Sequence, residues 1–359
     1  MTVLRSIHDY KIDIHKTFEA SAELYNAALA KTPGHISLRV LPPCDIAFYT
    51  NVNLLAYDFE RDIDRYAEDL LGELAKSYDD RKRIDDNMIP TIFPLLGIGD
   101  YAAFVSGEII FKNDTSWSTP FLMNLSDWKN IPPIGTSKWY RRFLAICEAL
   151  LVRSSGTGIP LMRGFFSPLD LAHALRGEDI YYDMYDDPDG LHELLDYCAD
   201  ATIRFAEDIY ALVRKHLGDT PYGMWYADHK INMSEDIACM ISGEAYRTFC
   251  APHTQKVIDH FGVGYMHCHS RAMYLVKEIC SLRNVAHLWL ATDPNQPRPI
   301  EHIDELVRDA NGVCLAIDCN RFAEIEDNIE KLRRGNFSIC LPCDSVEEGI
   351  TLVERFNQL

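Results

Sequence analysis

The residues best suited to chemistry are two histidines one residue apart. His267-Cys268-His269 stands just past a short apolar run at 264–267. In an extended chain, residues i and i+2 project to the same side. Both imidazoles can therefore aim at one point, while Cys268 aims at the other face. Such a pair suits zinc or another borderline divalent metal. For one histidine alone, a packed, hydrogen-bonded ring is the plainer role; the spacing at a strand end favours a metal. The second signal is Cys340-Leu341-Pro342-Cys343-Asp344, at the end of the last predicted strand. Cys340 falls inside the run and reads as core. Cys343 follows the proline, at the same rim as the histidines if the strands form a barrel. His267, His269 and Cys343 are thus the expected ligands, with a fourth position left for substrate, as in a catalytic zinc site. Cys319 is a competing thiol that reads better as buried.

Other candidates lie at predicted strand ends. Trp225, Tyr226, Asp228 and His229 close a strand expected at 222–226 and precede Glu235-Asp236. Tyr226, Glu235 and Asp236 are the candidates for acid–base work or for orienting a ligand histidine; capping the following loop is the alternative. Asp228 and His229 are expected to contact substrate. Arg163, Phe165 and Phe166 end another strand and are expected to line a pocket, with core packing of the two aromatics an equal alternative. Asp293, before Pro294, reads as a turn residue. Trp117 belongs to an extended, aromatic and proline-containing stretch at 113–133 that reads as a lid contacting substrate.

The elements that must position these groups follow from patterning. Short apolar runs at 159–163, 222–226, 264–267, 285–290, 313–317 and 337–341 alternate with amphipathic stretches of helical length. Those stretches are 188–217, 243–261, 271–282, 300–310, 323–332 and 345–356. Asp187-Pro188 opens the first and Gly218 stops it, while Ser242 caps the second. Strands alternating with helices imply a parallel sheet. The repetition points to a (β/α)8 TIM barrel, whose active site is built at the C-terminal ends of its strands. No G-x-G-x-x-G follows a strand, so a dinucleotide-binding sheet lacks its fingerprint. Upstream, 18–30, 54–78 and 139–152 read as helices, and 87–97 as a strand running into a loop. Residues 1–359 are expected to form one domain, with 1–84 as an N-terminal helical elaboration.

Composition narrows the partners. The chain has 359 residues, 47% of them hydrophobic and 25% charged, which excludes disorder as its main theme. Its formal charge of −19 opposes nucleic-acid binding in the absence of a basic stripe. No stretch reaches the roughly 18 apolar residues of a membrane span, and Arg5 interrupts the N-terminus too early for a secretory signal. The eleven cysteines are odd in number and irregular in spacing, which fits a reducing, cytoplasmic setting without a disulfide framework.

Several segments together resemble the uroporphyrinogen decarboxylase superfamily. They are Gly164-Phe165-Phe166-Ser167-Pro168-Leu169-Asp170-Leu171-Ala172, Tyr185-Asp186-Asp187-Pro188 opening a long helix, and Ile241-Ser242-Gly243-Glu244-Ala245-Tyr246 with Pro252. Residues 86–97 and Thr115-Ser116-Trp117-Ser118-Thr119-Pro120 are similar to a decarboxylase-like branch. The resemblance runs from about residue 85 to the C-terminus and implies a (β/α)8 barrel. The superfamily holds decarboxylases and zinc-dependent methyltransferases that serve corrinoid proteins. The methyltransferases carry His-x-Cys after a strand and a later cysteine, matched here by His267-Cys268-His269 and Cys343, with His269 in place of the cysteine. The arginine-rich signature of the decarboxylases has no equivalent at Lys31-Thr32-Pro33-Gly34-His35. The resemblance therefore implies a metal-dependent methyltransferase. Zinc would bind a small thiol or similar acceptor, and a methylcobamide or other corrinoid, free or on a corrinoid protein, would be the co-substrate. A homodimer is among the expected assemblies. Two alternatives stay open: a metal-independent decarboxylase of a carboxylated aromatic or tetrapyrrole-like substrate, and a non-enzymatic corrinoid- or metal-binding accessory protein.

Overall fold

The computed structural model describes residues 23, 26–45, 51–94, 96–113, 115–218 and 230–359. Tyr226, Asp228 and His229, like the strand expected at 222–226, lie outside the described residues.

In chain order the elements begin with β1 (Ile36–Leu41), α1 (Ile63–Arg81) and α2 (Asp100–Val105). A small hairpin follows, β2 (Ile110–Phe111) with β3 (Ser116–Trp117), then α3 (Lys138–Arg153) and β4 (Phe165–Phe166). Next come α4 (Pro168–Arg176), α5 (Ile180–Asp186), α6 (Pro188–Leu217), β5 (Lys230–Ser234) and α7 (Ala251–Phe261). The chain then alternates through β6 (Val263–His269), α8 (Val276–Cys280), β7 (Val285–Ala291), α9 (Ile303–Ala310) and β8 (Cys314–Asp318). It ends with α10 (Phe322–Leu332), β9 (Asn336–Pro342) and α11 (Val346–Phe356). The helix expected at 243–261 is broken: a turn of helix at Gly243–Ala245 runs through a π turn, Tyr246–Cys250, before α7.

Seven strands form one sheet in the order β1-β9-β8-β7-β6-β5-β4, with every pair parallel. The chain around Ile92 fills the eighth position. On one side it forms a parallel bridge to Leu161, with Ile92 N–H donating to Pro160 O and Met162 N–H to Ile92 O, both at 2.7 Å. On the other, Asn87 N–H donates to Leu38 O, Leu38 N–H to Asn87 Oδ1 and Val40 N–H to Asp86 Oδ2. The ring so closed is an α/β barrel, as the alternation predicts. The expected helical elaboration over 1–84 is corrected at β1. Its Leu38 and Val40 are buried on the outer side, Val40 near Gly349 of α11, and its polar residues turn inward. Among the described residues, no helix is long and apolar enough to cross a membrane.

Candidate metal centre

Strand parity decides which side chains enter the lumen. In β6 the outer positions Met266 and Cys268 are buried in the main core, while His267 and His269 are only partly buried. Register carries the inner positions around the barrel. Ser234 pairs with His267, His267 with Trp289, Trp289 with Ala316, Ala316 with Ser338, and Ser338 with Ser37. Two residues further along these strands, toward the C-terminal mouth, stand His269, Ala291, Asp318, Cys340 and Arg39.

Asp236 reaches this inner surface from the turn after β5. Among the described residues, Asp236, His267 and His269 are the one group of three ligand-type side chains whose donor atoms all lie within 4.8 Å of one another. Asp236 Oδ1 is 3.3 Å from His267 Nε2 and 3.4 Å from His269 Nε2. It is buried, yet makes a well-directed hydrogen bond with neither. A carboxylate oxygen held between two imidazole nitrogens and satisfied by none of them has the geometry of a donor to a shared cation. The donor set thus fits a divalent metal. Cys343 is not part of it, which corrects the expected ligand set. Residues 337, 339 and 341 of β9 are buried on the outer side, and Cys343 continues that parity. A Cβ placed on Gly349 of α11 would meet its Sγ at 3.2 Å, so the thiol faces the helix layer. Burial pushes it up to about 11, with Glu348 and Asp45 adding.

The two histidines are electrostatically unlike. His269 Nδ1 lies 2.9 Å from Asp293 Oδ1, and the same carboxylate accepts from Arg271 N–H. The Asp236 carboxylate, with Asp293 behind it, pushes His269 up to about 9 against the opposing effect of burial. His267 is held below its ordinary value, chiefly by burial and further by the charge of His269, while Asp236 opposes. It also packs against Trp289, with ring centroids 4.4 Å apart, and the indole is 44% exposed toward the lumen.

The other predicted residues divide. Glu235, expected near the chemistry, turns away from the lumen into the helix layer. It is fully buried and accepts from Tyr246 Oη at 3.0 Å and Thr254 Oγ1 at 2.8 Å. Arg163 does not line a pocket. Its Nη2 is 2.6 Å from Asp100 Oδ1, both side chains are buried, and the guanidinium stacks on Tyr101. Phe165 is core, whereas Phe166 faces inward and stacks on Tyr101 with centroids 3.9 Å apart. Trp117 is half-exposed, and its backbone lies against Gly99 in the turn after the Ile92 strand, on the mouth side of the barrel. Asp293, expected to be a turn residue, instead supports His269, and the sequence reading does not single out Trp289 or Arg39. Arg39 is a lumen cation whose buried Nε has no hydrogen-bond partner among the described residues. The polar alternation Ser37-Leu38-Arg39-Val40 was the available signal.

No family model matches the chain, and no curated protein matches it. Among solved structures, a methyltransferase from Methanosarcina mazei is similar in fold, with a TM-score of 0.59. The match covers 93% of this chain and 97% of that one at 12% sequence identity.

Proposed function

We propose that this chain is a metal-dependent methyltransferase that moves a methyl group between a corrinoid, free or carried by a partner protein, and a small thiol or similar acceptor. The observation that carries this reading is the convergence of Asp236, His267 and His269 at the C-terminal mouth of the barrel. The fold likeness to a methyltransferase adds support. Two imidazoles and one carboxylate leave open positions and suit zinc, cobalt or ferrous iron. When bound, such a metal lowers the pKa of an acceptor thiol, so that a nucleophilic thiolate exists at neutral pH. The chain's own groups do the rest. Asp293 fixes the ring orientation of His269 through Nδ1, leaving Nε2 as the donor. Trp289 walls one side of the centre, and Phe166 with Tyr101 forms a second aromatic surface inside the barrel.

The reading is tested by metal content and turnover of the purified protein. One equivalent of metal per chain is expected. It should be lost in His267→Ala, His269→Ala and Asp236→Ala and retained in Cys343→Ala and Cys268→Ala. Methyl transfer from methylcobalamin to a thiol should require it. Full metal in the first three variants would sink the site, and turnover by metal-free protein would sink the mechanism.

One observation favours the decarboxylase alternative. Arg39 offers an inward guanidinium whose buried Nε has no hydrogen-bond partner among the described residues, a natural anchor for a substrate carboxylate. Carbon dioxide release from a carboxylated aromatic by metal-free protein, abolished in Arg39→Met, would decide for it.

A further inference from the structure

We infer that Asp170 is a positioning residue that aims Asp236 at the two histidines; this rests on the metal reading above. Asp170 lies in the first turn of α4, far in sequence from the turn after β5. It is buried, and three donors on that one segment point to its carboxylate. Oδ2 accepts from Ser234 Oγ at 2.6 Å and from Asp236 N–H at 3.0 Å, and Oδ1 accepts from Ile237 N–H at 2.9 Å. The backbone on both sides of Asp236 is therefore fixed from one direction.

Residue 235 is fixed from the other. Glu235 N–H donates to His267 O at 2.7 Å, which ties the turn to the strand that carries both histidines. The Glu235 side chain is anchored outward on Tyr246 and Thr254. With residue 235 held outward and the amides of 236 and 237 held by Asp170, the side chain of Asp236 is left the inward direction. Ser167 supports the clamp: its hydroxyl caps Asp170 N–H, and its own N–H donates to Ser234 O at 3.0 Å. Asp170 does not itself enter the ligand group. Its action on the centre runs through the backbone of its neighbour.

The test uses Co2+ as the probe, because its visible spectrum reports ligand number and geometry. Asp170→Asn keeps the shape of the side chain but replaces one accepting oxygen by a donor. We expect the folded variant to bind Co2+ about 10- to 100-fold more weakly than wild type, the usual effect of losing a group that supports a ligand. Its visible band should also change in shape. A purely structural role would lower the melting temperature and leave the spectrum of the bound metal alone. Wild-type Co2+ affinity and an unchanged spectrum in Asp170→Asn would overturn the inference. Should that variant not fold, Ser234→Ala loosens the same carboxylate and carries the test. A several-fold weaker affinity with an altered band is then expected, and wild-type behaviour overturns it. Failure of wild type to bind Co2+ would strike the metal reading instead. The clamp would then be judged from the crystal structure of the same variant, where an Asp236 carboxylate still seated between His267 and His269 overturns it.

Discussion

Breaking the Arg163–Asp100 pair should unfold the barrel more easily without touching the Asp236, His267 and His269 group. The pair joins the wall near β4 to the first turn of α2, with an N–O distance of 2.6 Å and side chains 2% and 0% exposed. Asp100→Asn leaves a guanidinium sealed among Tyr101, Phe104 and Phe143, at 4.2, 5.8 and 4.9 Å from their ring centroids. These ring faces attract the cation but do not replace its anion. Removing one partner of a buried pair costs about 3–5 kcal/mol. A chain of 359 residues has an unfolding entropy of roughly 0.75 kcal/mol/K, from about 2.1 cal/mol/K per residue. A loss of about 4 kcal/mol should then lower the melting temperature by about 5 °C. The double variant Asp100→Asn/Arg163→Met should recover part of that loss, since an apolar replacement of both partners strands no charge. Differential scanning calorimetry at pH 7 on wild type, both single variants and the double variant measures the cycle. If Arg163→Met melts within a degree of wild type, the pair does not have the structural role assigned here and the arginine is free to serve substrate.

Two pH effects follow. Metal binding needs neutral imidazole, and His269 titrates near 9. Apparent metal affinity should therefore climb by up to about tenfold per pH unit from 6.5 towards 9; chelator competition at several pH values would show this, and a flat profile would contradict it. In metal-free protein the sign reverses. The raised His269 value adds stability that is complete below about 6.5 and is lost as pH rises through about 9. Between the loop after β7 and the first turn of α10, Arg298 grips Glu324 at 2.7 and 2.8 Å and holds its carboxyl down at about 2. That stability is present above the usual carboxylate range and lost as pH falls towards 2. Glu324→Gln should cost about 2–3 kcal/mol at pH 7 and almost nothing at pH 2 in urea titrations; an equal cost at both would refute the assignment.

The later barrel strands were legible because their outer faces are continuous in apolar character. The run at 285–290 differs from β7 by one residue, and 188–217 matches α6. β5 is not legible because its inward positions, Lys230, Asn232 and Ser234, are polar and leave only Ile231 and Met233 as apolar signal. β1 hid in the same way behind Ser37 and Arg39. Period-2 parity puts both histidines on one side of the strand, and in the structure their donor atoms converge. The same parity applied to β9 turns Cys343 outward, against the expected set of three rim ligands. Asp236 stands out in the sequence by type and place, and only the fold shows which of two adjacent carboxylates faces the histidines. That choice is made by buried partners 11 or more residues away in sequence, Tyr246 and Thr254 for Glu235 and Asp170 for Asp236.

The ring is not equally fastened all round. Between β4 and β9, and on to β1, neighbours are joined by continuous ladders, whereas the 86–92 segment is held to β1 largely by the side chains of Asp86 and Asn87. Asp86 in turn is clipped by Arg81, which also holds Asp45. The barrel is in effect a hoop with a clasp, and the clasp is electrostatic. Opening it leaves the β6 wall and its histidines intact while parting the lumen beside Arg39.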